Sequence, residues 1–88
     1  MNLKQQLLAI TDAYCAATGR SASRVSTLIF NDGKRIAAIK DGGDLATGRF
    51  EHGMSWFSGN WPKDADWPEG IARPEPLPPE ADQAGAAE

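Results

Sequence analysis

Leu3, Leu7, Ile10, Tyr14 and Ala17 recur at spacings of 4, 3, 4 and 3. Such a stripe lies along one side of an α-helix and along neither face of a strand. Gly19 follows Thr18 as a helix-ending residue, so the spacing predicts a first helix over 3–18. Ser21 offers an N-cap for a second helix with Val25, Leu28 and Ile29 on its inner face. Asn31-Asp32-Gly33 punctuates the chain, and Ile36 and Ile39 mark a short third helix that stops at Asp41-Gly42-Gly43. Asp44 or Thr47 caps a fourth, whose face is Phe50, Met54, Phe57 and Trp61 and which Pro62 closes. The expected fold is all-α, with four helices in residues 1–61. One alternative stays open for residues 25–39: Asp32-Gly33 between two apolar runs also reads as a β-hairpin. Against it, neither run alternates between two faces.

Eighty-eight residues allow one small domain, and not all of them can join its core. From Pro74 onward the chain has four prolines, four acids and one large apolar residue, Leu77. That composition cannot offset an ordering entropy of about 1–2 kcal/mol per residue, so 74–88 is expected to be a disordered acidic tail. Residues 62–73 form an extended Trp/Pro segment between the two. All three tryptophans fall within twelve residues, Trp61 and Trp67 each directly before a proline. The segment either covers the chain's own core or presents Trp56, Trp61, Trp67 and Ile71 to a partner or to a second copy in a homodimer.

The net charge of −3 conceals a split. Residues 1–63 hold eight bases against five acids, and 64–88 hold one base against seven. Within 20–40 stand Arg20, Arg24, Lys34, Arg35 and Lys40 against Asp32 alone, interleaved with Ser21, Ser23, Ser26 and Thr27. Cations and hydroxyls on two short helices joined by a turn are what a phosphate backbone requires, with the second helix able to enter a major groove.

Little else suggests chemistry. One cysteine, Cys15, excludes an internal disulfide and a thiolate metal cluster, and His52 has no second histidine. Asp41-Gly42-Gly43-Asp44 lacks the alternating carboxylates of a calcium loop and the Lys-Ser/Thr of a phosphate loop. No catalytic residue, metal or cofactor is expected, and the chain reads as non-enzymatic. No apolar run reaches the length of a membrane span, and the N-terminus lacks a secretory pattern, so a cytoplasmic protein is expected.

The stretch from Gly19 to Gly42 resembles the helix-turn-helix of lambda-repressor and Cro type proteins, with Val25, Ile29, Ile36, Ile39 and Gly42 in the family's apolar and glycine places. Leu45, Thr47, Phe50 and Met54 resemble its following helix. The family's turn glycine is Phe30 here, which hands the left-handed conformation to Asn31, and its small residue after the buried aliphatic is Ser26. The resemblance implies a transcriptional regulator, a repressor of phage or prophage type, that binds double-stranded DNA. With Ile36 and Ile39 inward, base contacts fall to Lys34, Arg35 and Ala38. Backbone contacts fall to Ser21, Ser23, Arg24, Thr27, Gly33 and Lys40, with Gly33 leaving a bare helix N-terminus to phosphate. The alternative is a protein-interaction module, an inhibitor or adaptor, on the same small helical fold without DNA binding. The acidic total charge and the Trp-rich segment favour that alternative.

Overall fold

The first helix begins at a reciprocal cap. Asn2 Oδ1 accepts from Gln5 N at 2.8 Å while Gln5 Oε1 accepts from Asn2 N at 3.0 Å, satisfying two backbone donors that a helix start leaves unpaired. The computed structural model describes residues 2–76, and these fold as an all-α four-helix domain: α1 (Leu3–Thr18), α2 (Ala22–Phe30), α3 (Arg35–Lys40) and α4 (Thr47–Asn60). Residues 25–39 are thus two helices and a turn, which removes the hairpin alternative.

Left-handed residues end the first three helices' turns where the sequence expects them. Gly19 (φ 78°) follows α1, and Asn31 (φ 56°) follows α2 in place of a glycine. After α3, Gly42 N donates to Ile39 O at 3.1 Å and Gly43 N to Ala38 O at 2.8 Å, the paired bonds of a Schellman motif. Gly42 takes φ 105°, and a Cβ on Gly43 would stand 2.7 Å from Ala38 O. Both positions therefore exclude a larger residue. At α4 the expected caps are not used: Ala46 occupies the N-cap position with no side-chain hydrogen bond.

The core takes Leu7, Ile10 and Tyr14 from α1, Val25 and Ile29 from α2, Ile36 and Ile39 from α3, and Met54, Trp56 and Phe57 from α4. Leu28 departs from its expected inner place and is 36% exposed, because the buried face of α2 runs through Val25, Ser26 and Ile29 and turns Leu28 to the opposite flank. Ala17 is likewise exposed, so the α1 stripe ends at Tyr14. Gly53 is buried where three helices converge; a Cβ there would meet Leu7 Cδ1 at 3.2 Å and Phe30 Cζ at 3.4 Å.

Beyond α4 the chain turns back over the core. Trp61 packs against Tyr14 and Phe57, with ring centroids 5.9 and 6.4 Å away, and Trp67 packs on Trp61 at 4.9 Å. The two Trp-Pro steps fold alike: Trp61 Nε1 donates to Ala65 O at 3.0 Å, and Trp67 Nε1 to Ile71 O at 2.8 Å. Arg73 closes the strap, donating to Ser58 O at 2.8 Å and Ser58 Oγ at 3.2 Å with its guanidinium 5.2 Å from the Trp67 ring centre. Ser58 Oγ then donates to Pro74 O at 2.7 Å. The boundary expected at Pro74 is thereby corrected, since Pro74 is held by α4; residues 77–88 of the expected tail lie outside the described residues.

Candidate functional site

Ser26 decides the geometry between α2 and α3. Its side chain is fully buried; its hydroxyl donates to Asp32 O and accepts from Ile36 N at 3.1 Å. One side chain thus ties the end of the connecting turn to the first turn of α3. Around it, Asp32 Oδ1 accepts from Lys34 N at 2.9 Å and Asp32 O from Arg35 N at 3.2 Å. Three successive donors at the start of α3, on residues 34, 35 and 36, are therefore satisfied within the chain.

That finding corrects the expectation of a bare helix N-terminus at Gly33. The glycine is needed for packing: a Cβ would meet Thr27 Oγ1 at 3.1 Å and Ser23 Oγ at 3.3 Å. Thr27 lies beside it. Its single hydroxyl proton goes to Ser23 O at 3.1 Å, so it has none to give a phosphate while that bond stands. Ser21 is the α2 N-cap, accepting from Arg24 N at 3.1 Å, and keeps its own proton. Ser23 and Arg24 are exposed on the first turn of α2.

On α3 the inward pair is Ile36 and Ile39, as expected, and the opposite face is exposed at Lys34, Ala37, Ala38 and Lys40. These residues and Asp41 line a shallow, open depression. Arg35 is not on that face in the same sense. It is half-buried, and its Nε is shielded from solvent with no hydrogen-bond partner among the described residues. Lys34 and Ala38 are thus presented outward, while Arg35 is held at the flank.

The expected interface tryptophans sit elsewhere. Trp56 and Trp61 are 8% exposed and Ile71 is 7% exposed within the single chain, so none of them is free to anchor a neighbour without leaving its own core. Trp67 is half-buried under Arg73. Of the two expected roles of this segment, Trp56, Trp61 and Ile71 occupy the places of a cover over the chain's own core. A separate apolar groove of about 400 Å³ runs between α1, α4 and the returning chain, lined chiefly by Phe50, Met54, Ala72 and Pro74.

The two remaining reactive side chains are engaged in ways unlike a nucleophile and base. Burial, helped by the Asp12 carboxylate, pushes the Cys15 thiol above its ordinary range, the opposite of what activates a thiolate. His52 Nε2 lies 3.1 Å from Ile29 O, against the last turn of α2. No group of three metal-ligating side chains occurs among the described residues. No helix among them is long and apolar enough to cross a membrane.

Several of these features escaped the sequence. The Asn2/Gln5 box has a readable spacing, as does Ser26 once two helices are assumed. The Arg73–Ser58–Pro74 clamp and the contact of Lys4 Nζ with Gly42 O, at 3.4 Å, have no local signature. Comparisons of the chain with protein-family models, with curated proteins and with solved structures find no match.

Proposed function

We propose that the chain is a non-enzymatic binding module whose working surface is the outward face of α3, and that this face takes double-stranded DNA. The observation that carries the reading is the division of α3 itself. Ile36 and Ile39 anchor one side in the core, while the other exposes a cation at each end, Lys34 and Lys40, with only Ala37 and Ala38 between. A smooth helix with charged ends can enter a groove without steric conflict, and it leaves discrimination to few base contacts and to DNA shape. In this reading α2, the Ser26-tied turn and α3 work as a helix-turn-helix. Lys34 and Ala38 meet base edges, and Ser21, Ser23, Arg24 and Lys40 meet phosphates. The lambda-repressor and Cro resemblance adds regulation of transcription to that reading, together with a place in the cytoplasm.

Binding to a short mixed-sequence duplex, measured from about 50 to 200 mM salt, tests it. The logarithm of the association constant should fall linearly with log salt, by about 0.9 for each phosphate neutralised. Arg24→Ala and Lys40→Ala should flatten that slope on all sequences alike, and Lys34→Ala should also relax sequence preference. Absence of salt-dependent binding sinks the DNA reading.

The second reading is a protein-interaction module. The Phe50/Met54/Ala72/Pro74 groove favours it, as a concave apolar surface well away from the basic residues of α2 and α3 in sequence. The net charge of −3, which opposes a polyanion at long range, favours it too.

A further inference from the structure

We infer that Lys4 of α1 is part of the same DNA-binding surface, extending the cations of α3 across to a third helix; the inference rests on the DNA reading of α3. Lys4 lies 38 residues from Gly42 in sequence, yet its Nζ reaches Gly42 O at 3.4 Å. Gly42 belongs to the Schellman turn directly after α3, two residues past Lys40. Two cations, one from each helix, therefore stand at the same end of α3. At the other end, Gly33 packs against Ser23 and Thr27 of α2, and Lys34 follows it. The inferred surface runs from the exposed first turn of α2, over Lys34, Ala38 and Lys40, to Lys4 at the Gly42 turn.

The chemistry at Lys4 suits a phosphate. An ammonium has three donors, and one long bond to a carbonyl leaves two. Its one contact is to the turn that follows α3, so Lys4 is held beside the helix it would assist. A small anion would meet one end of α3 only. A duplex backbone, with phosphates on both sides of a groove, reaches both ends of a helix about 9 Å long.

The full chain and a labelled mixed-sequence duplex provide the test, through the same salt series applied to Lys4→Ala, Lys4→Arg, Lys40→Ala and Lys63→Ala. Lys63 is the control. It follows Pro62 beside Trp61, which packs on Tyr14, about 15 Å along α1 from Lys4. Lys4→Ala should lower the magnitude of the salt slope by about 0.9, as the loss of one phosphate contact requires. Lys4→Arg should restore the slope, and Lys63→Ala should leave it unchanged. A Lys4→Ala slope equal to wild type, while Lys40→Ala flattens it, would overturn the inference and leave the DNA reading standing. So would a loss of affinity with an unchanged slope, which marks a merely structural lysine, or an equal effect from Lys63→Ala. A wild type without salt-dependent binding overturns both.

Discussion

Ser26 shows how much one hydroxyl can decide. It is fully buried and both donates and accepts across the α2–α3 connection, so removing it leaves Ile36 N without its partner and Asp32 O with Arg35 N alone. Ser26→Ala should cost about 1–3 kcal/mol in urea-induced unfolding, the range for a buried group left unsatisfied. Two glycines give opposite expectations. Gly43→Ala puts a Cβ 2.7 Å from Ala38 O and should destabilise, whereas Gly48→Ala meets nothing within 4 Å on α4. Gly48→Ala should therefore raise stability by up to about 1 kcal/mol through helix propensity, read from the same urea midpoints. Cys15 should react with an alkylating reagent more slowly in the native chain than in urea at neutral pH. Its raised pKa leaves less thiolate, and a native rate equal to the unfolded one would contradict that.

At the scale of elements, the four helices separate into those specified locally and those specified by docking. The first carries its own caps at both ends. The third is six residues long, too short to persist alone, and owes its place to Ile36, Ile39 and the Ser26 tie. The strap after α4 is the least local element, since its order depends on rings stacked in sequence from Tyr14 to Trp61 to Trp67 to Arg73. Trp61→Ala should therefore cost about 3–5 kcal/mol, as a large buried aromatic does. Trp67→Ala, half-buried, should cost less. Sedimentation of both variants against wild type tests the tryptophans as an interface: an unchanged sedimentation coefficient is expected of a cover, and a shift from dimer to monomer with unchanged melting would show that they hold two copies together.

For the whole molecule, charge is divided between a basic body and an acidic C-terminal part, and Pro74 is tied to α4. Truncation after Pro76 removes three acids and no base and brings the net charge from −3 to zero, while keeping the Ser58–Pro74 bond. Its melting temperature should stay close to that of the full chain, and its DNA association at low salt should tighten as long-range repulsion falls. Truncation after Arg73 also removes the Pro74 carbonyl and should melt lower. Equal melting of the two truncations, measured by circular dichroism, would show that the Pro74 contact contributes nothing.

The all-α class, the four helices and the left-handed Asn31 were legible in the chain because each rests on residues within a turn or two of one another. Periodicity exposes a helix face, and a polar residue in the left-handed region ends a helix, wherever the segment goes. The inward choice of Ile36 and Ile39, and with it the outward Lys34 and Ala38, follows from the same spacing. The destinations of side chains did not. Leu28 was lost from the core because the buried face of α2 is centred on Val25, Ser26 and Ile29, which turns Leu28 to the outer flank, and periodicity alone ranks a leucine above a serine. Arg35 sits half under the surface, and the tryptophans were drawn onto their own chain by contacts with distant segments. Lys4 at Gly42 and Ser58 at Pro74 are pairings across 38 and 16 residues. No local propensity encodes such pairs: they exist only once the helices have packed, because burial of shared apolar surface, which has no direction of its own, sets which polar groups then meet.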